Sequence, residues 1–123
     1  MARVVALVPD LLFGSKVVAM LEAAGHEVTL TGQEDDARGE IEFADVLVVD
    51  LTTDAIDGTM LVDSMASGGE LHGKRTLGFY SHVEIEVPER AREAGFDLVV
   101  PRSRMAREGA ELVGRLASEG AAP

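Results

Sequence analysis

Residues 44–51 read Ala44-Asp45-Val46-Leu47-Val48-Val49-Asp50-Leu51, four consecutive apolar residues directly before an aspartate. A strand with one wet face alternates apolar and polar side chains, so an unbroken apolar run predicts a strand covered on both faces. Val4-Val5-Ala6-Leu7-Val8 and Leu98-Val99-Val100 have the same character. Glu27-Val28-Thr29-Leu30-Thr31 alternates instead, as an edge strand with one solvated face would. With 75–79, the predicted strands are 3–8, 27–31, 45–50, 75–79 and 98–100.

Amphipathic stretches separate them. From Phe13, apolar residues recur at Val17, Met20, Leu21 and Ala24, and Gly25 supplies a stop. A short helix is predicted over 37–43. A longer one over 57–67 carries Met60, Leu61 and Met65 and stops at Gly68-Gly69. The next covers 88–94, with Pro88 in its first turn, where a missing N–H costs nothing, and Gly95 as its stop. The last covers 103–118, with Met105, Leu112, Val113 and Leu116 facing inward and Ser103 as the expected N-cap. Strand and helix thus alternate five times. The fold class that follows is α/β, a flavodoxin-like (βα)5 doubly wound parallel five-stranded sheet of order 2-1-3-4-5.

At 123 residues the chain is one domain, expected over 1–119, with 120–123 as a frayed C-terminal tail. Acids number 22 and bases 11, a net charge of −11. That balance argues against nucleic acid and anionic membranes as partners, since both need a basic surface. There is no cysteine, hence no disulfide, thiolate metal site or Cys nucleophile. No apolar run approaches the roughly 20 residues of a membrane span. Met1-Ala2-Arg3 runs straight into a strand without a signal-peptide pattern, so a cytoplasmic protein is expected.

In a doubly wound sheet, chemistry sits beyond the carboxyl ends of the strands. Those ends carry Pro9-Asp10, Asp50-Leu51-Thr52-Thr53-Asp54, Tyr80-Ser81-His82 and Pro101-Arg102-Ser103. The topology therefore gathers Asp10, Asp50, Ser81 and Arg102, with Thr52 and His82 as further pocket-lining groups. Asp10 and Asp50 are the candidate ligands for Mg²⁺, a hard cation that takes oxygen donors. A carboxylate is also a possible phosphoryl acceptor, with a hydroxyl and a cation binding the phosphoryl oxygens. Each residue has a plainer role as well. Asp10 suits an N-cap, Asp50 can cap its own loop, and Ser81 can serve a turn. Arg102 is expected to pair with Asp50. No phosphate-binding loop, dinucleotide fingerprint, nucleophile elbow or histidine metal cluster is present, so nothing marks the chain as an enzyme.

The chain resembles a response-regulator receiver domain over nearly its whole length. The resemblance rests on Val8-Pro9-Asp10-Leu11-Leu12-Phe13, Leu21-Glu22-Ala23-Ala24-Gly25-His26-Glu27-Val28, Ala44 to Leu51, and Arg90-Ala91-Arg92-Glu93-Ala94-Gly95-Phe96-Asp97. It implies that Asp50 takes the phosphoacceptor position, Ser81 the hydroxyl position after strand four, and Arg102 the place of a lysine. The departures are specific. Val8 and Pro9 stand where receivers carry the acidic pair that binds Mg²⁺. Arg102 offers a planar fork in place of a point charge. Val99 replaces an aromatic switch residue, and Thr52-Thr53-Asp54 replaces the usual loop after the phosphoacceptor. With these departures the chain resembles a degenerate, or pseudo-, receiver.

Charge is distributed unevenly. Residues 33–63 hold ten acids and one base, Arg38, a net −9, whereas residues from 101 onward hold four arginines and three glutamates. The acidic side suits a basic protein partner, and the fifth-helix side is the least self-repelling face for a homodimer. The expected function is a stand-alone, atypical receiver-like signalling module in a two-component or phosphorelay setting, acting through protein–protein contacts and switched at Asp50. The alternative is a small-molecule-binding protein or enzyme using the pocket at the carboxyl edge of the sheet.

Overall fold

The computed structural model describes residues 2–81 and 83–121. Strand β1 (Arg3–Leu7) leads through α1 (Leu11–Ala23) to β2 (Glu27–Thr31) and α2 (Glu34–Glu40), which runs into a 3₁₀ turn, Ile41–Phe43. Then follow β3 (Val46–Asp50), α3 (Gly58–Ser67), β4 (Arg75–Tyr80), α4 (Val87–Ala94), β5 (Leu98–Pro101) and α5 (Arg102–Ala121). The strands form one parallel sheet of order β2-β1-β3-β4-β5, as the alternation predicts. Among the described residues no helix is long and apolar enough to cross a membrane.

The period-2 geometry of a strand sends alternate side chains into two separate cores. Val4, Ala6, Val8, Val46, Val48, Leu77, Phe79 and Val100 meet α1 and α5 on one face. Val5, Leu7, Leu47, Val49 and Val99 meet α2, α3 and α4 on the other. All five residues of β3 are buried, which explains the unbroken apolar run that defines it. Each fully buried leucine or valine contributes about 1.5–3 kcal/mol relative to exposure. The edge strand β2 has no fully buried residue, in keeping with its alternating sequence.

Helix starts differ from the sequence expectation for local reasons. Helix α1 begins two residues early because the Asp10 side chain accepts from the Leu12 and Phe13 amides. Leu11 and Leu12 are exposed, so they lie outside the apolar periodicity. Helix α2 begins at Glu34, not 37. Its first turn is Glu34, Asp35 and Asp36, and these carboxylates favour the positive end of the helix dipole although only Ala37 is buried. Ser103 is not an N-cap. Strand β5 passes directly into α5, so Ser103 falls inside the first turn. Helix α5 extends to Ala121, into the expected tail, and residues 122 and 123 lie outside the described residues.

Two polar ties close the α2/α3/α4 side. Arg38 Nη2 donates to Glu70 Oε1 at 2.7 Å, its Nε donates to Glu70 Oε2 at 2.8 Å, and Nη2 also reaches Ser64 Oγ at 3.0 Å. The paired guanidinium holds the pKa of the Glu70 carboxyl below its ordinary value, chiefly by hydrogen bonding, and the carboxylate in turn raises that of Arg38 in the same way. Buried Thr76 donates its amide to Asp97 Oδ2 at 2.8 Å, and the Asp97 amide donates to Thr76 Oγ1 at 3.0 Å. This reciprocal pair fixes the approach to β5 against β4. Gly95, at φ +119°, makes the left-handed turn that ends α4 just before it.

Candidate functional site

Register decides which residues share the carboxyl edge. Leu7 lies opposite Val49, Asp50 opposite Phe79, and Tyr80 opposite Pro101. The residues following β1, β3, β4 and β5 therefore emerge on one side of the sheet, as the topology predicts.

Asp50 closes β3 and is 2% exposed. Its Oδ1 accepts from the Thr52 amide at 2.8 Å and from Thr52 Oγ1 at 2.6 Å. The carboxylate thus folds its own loop, and Thr52 is a partner of Asp50. Asp10 is engaged twice. Oδ1 caps α1, accepting from Leu12 N at 2.9 Å and Phe13 N at 3.3 Å. Oδ2 accepts from Arg102 Nη2 at 3.5 Å.

The expected pair between Arg102 and Asp50 is therefore replaced by one between Arg102 and Asp10. The Arg102 guanidinium lies 4.1 Å from the centre of the Phe13 ring. Phe13 packs on Phe79 with ring centroids 5.1 Å apart, and Phe79 is the register partner of Asp50. The physical reason is solvation. The Arg102 and Asp10 side chains stay 43% and 46% exposed, so both charges keep much of their water. Meeting buried Asp50 would strip water from the guanidinium at a cost of several kcal/mol. The apolar period places Phe13 in the core of the first helix, and its second role, as a platform for a cation, leaves no mark in that period. Arginines stack on aromatic faces, but no local pattern joins position 13 to position 102.

Ser81 is half-buried, and its carbonyl accepts from the Glu84 amide at 2.9 Å, beginning the turn into α4. His82 lies outside the described residues. The donor set does not fit Mg²⁺. Val8 is buried and offers no oxygen ligand from its side chain, and neither does Pro9. Among the described residues no group of three or more His, Asp or Glu side chains is placed to hold a metal ion.

A groove of about 870 Å³ lies elsewhere, between α3 and α4 beside the loop that follows β3. Leu51 and Ile56 are among its walls, and none of Asp10, Asp50, Thr52, Ser81 or Arg102 lines it. The pocket-lining roles expected for Asp10 and Thr52 are not met in this groove. Tyr80 packs against the α2/α3/α4 core and Met105 is wholly buried in the other.

The architecture matches known structures closely. The receiver domain of the Francisella response regulator 1452 superposes with a TM-score of 0.84 at 16% identity, over 97% of this chain and 98% of that one. A CheY-like response regulator receiver domain protein from Methanospirillum hungatei superposes with a TM-score of 0.83 at 18% identity, over 98% and 96%. A response regulator receiver domain protein from Clostridium thermocellum gives 0.82 at 13% identity, over 97% and 96%. No protein-family model matches the chain, and no curated protein sequence does. The fold is that of response-regulator receiver domains, carried by a sequence far from theirs.

Proposed function

We propose that this chain, folded as a receiver domain, is an atypical signalling module that acts through protein–protein contacts and does not depend on Mg²⁺-assisted phosphorylation of Asp50. The observation that carries this reading is the double engagement of Asp10. It is the carboxylate after β1 nearest the missing acidic pair, and its two oxygens are committed to the α1 amides and to Arg102. A cation at the carboxyl edge would compete with the cap and the ion pair for that ligand.

In this reading Arg102 is a fixed strut. Its charge is matched by Asp10 and its flat face rests on Phe13. Asp50, tied to Thr52, holds the shape of the loop that leads to α3. Ser81 belongs to the opposite turn. The carboxyl edge is then set in one state by its own side chains, and signalling comes from what the rest of the surface binds.

Intact mass after incubation with acetyl phosphate, with and without Mg²⁺ and beside Asp50→Asn, tests the proposal. The expected result is no Mg²⁺-dependent phosphoryl adduct on the native chain. An acid-labile adduct that needs Mg²⁺ and vanishes in Asp50→Asn would overturn it.

A further inference from the structure

We infer that the groove between α3 and α4 is a docking site for a basic, amphipathic helical segment of a partner protein. This deepens the proposed function and rests on its premise that the module works through protein contacts.

The groove combines an apolar floor with an acidic rim. Leu51, Ile56 and Val87 line it, and Met60 stands at its lip with 67% of its surface exposed. Glu84, which also lines the groove, is flanked in the chain by Val83 and Ile85, exposed by 74% and 82%. Large apolar side chains held in water beside a concavity mark an interaction surface. Six carboxylates surround them: Glu34, Asp54, Asp57, Asp63, Glu84 and Glu93. The single cation lining the groove is Arg90. Among the described residues, none of the six carboxylates takes part in an ion pair. Two of the six also serve the fold, Glu34 Oε2 accepting from the Asp57 amide at 3.1 Å and Asp57 Oδ1 from the Met60 amide at 3.0 Å. With Arg90 as the one cation among the lining residues, the surplus of negative charge suits a cationic occupant.

A second copy of this chain is a poor fit. Its net charge is −11, and three of the four arginines on its α5 already have carboxylate partners: Arg102 pairs with Asp10, and Arg104 and Arg107 pair with Glu108. A partner helix with leucine-type anchors on one face and lysine or arginine at its margins satisfies both floor and rim.

The test uses a fluorescein-labelled amphipathic helix built from leucine and lysine, with a leucine–glutamate counterpart, against the full chain. Binding is read by anisotropy and mapped by amide chemical shifts. The lysine peptide is expected to bind, the glutamate peptide not, and the shifts to centre on residues 51–63 and 84–94. Asp63→Lys, Glu93→Lys and Met60→Gln are all exposed changes, and each is expected to weaken binding about tenfold. Glu22→Lys and Glu111→Lys alter net charge as much, but away from the groove, and are expected to have little effect. Equal weakening by these controls, shifts spread over the acidic surface, or no binding at low salt would overturn the inference. Self-association abolished by Met60→Gln would overturn it too, by making the occupant a second copy. A phosphoryl adduct on Asp50 would sink the phosphorylation-independent reading while leaving this result standing, so the two failures are distinguishable.

Discussion

Arg102 and Asp10 are 92 positions apart in the chain and meet at 3.5 Å on the carboxyl edge of the sheet. The contact joins the start of α5 to the cap of α1 and passes Asp50 by. It makes Asp10 a structural carboxylate with two duties, and the pair's energetics can be separated by substitution.

Arg102→Ala removes a half-exposed ion pair and a cation–ring contact, and is expected to cost about 1 kcal/mol. Asp10→Ala removes the same pair and also the N-cap, so its expected cost is about 1–2 kcal/mol. A double-mutant cycle in urea should show coupling below about 1 kcal/mol. Arg102→Lys is expected to retain charge and lose the stacking on Phe13. Full stability in the lysine variant would show that the ring contact contributes nothing.

Asp50→Ala leaves the Thr52 amide and hydroxyl without their acceptor in a part-buried loop, at an expected cost of about 1–3 kcal/mol. Asp50→Asn keeps an acceptor oxygen in the same place and is expected to cost less than about 1 kcal/mol. Denaturation midpoints of the two variants at constant m-value check this ordering. Equal costs would mean that the negative charge, which both variants lose, and not the loop geometry, is what the fold uses.

Leu51 is packed against two glycines. A Cβ on Gly78 would lie 2.8 Å from Leu51 Cδ1, and one on Gly58 would lie 2.9 Å from Leu51 Cδ2 and 2.5 Å from Val49 Cγ1. Gly58→Ala and Gly78→Ala are each expected to destabilise by about 1–3 kcal/mol through overpacking. Part of the Gly78→Ala cost should disappear in a Leu51→Ala background, because the closest clash is with that side chain. Additive costs in the double variant would refute this packing account.

The Arg38–Glu70 pair sets a pH dependence. The folded-state pKa of Glu70 is lowered, so its contribution is complete above the ordinary glutamate range. It is lost as the pH falls through the lowered folded value, because protonation removes the acceptor charge. Arg38, raised from an already high value, stays charged throughout. The stability gap between the native chain and Glu70→Gln should therefore be widest at neutral pH and close in acid. A gap independent of pH would show that the pair contributes through shape alone.

Much of this was readable in the chain. The apolar run 46–49 marks a strand buried on both faces, and β3 is buried throughout. The alternation in 27–31 marks an edge, and β2 is one. Strand and stop signals succeed because they are local: one residue's neighbours in sequence are also its neighbours in the element. Helix starts at 11, 34 and 102 were less legible. A side-chain cap, a charged first turn and a loopless strand–helix junction leave no apolar period to detect. The groove was hidden for another reason. It joins acids from α2, α3, α4 and two loops, which the sequence records only as a regional excess of charge.

Periodicity and connection rules act on short stretches, so the α/β class, the strand order and the set of residues delivered to the carboxyl edge follow from local sequence. Which charges meet at that edge depends on long-range packing. Arg102 could serve either Asp10 or Asp50 by topology. Its choice follows from the cost of drying a charge beside buried Asp50, set against a hydrated partner at Asp10 and an aromatic face at Phe13. Distance and solvation settle that choice, and neither is written in any local pattern.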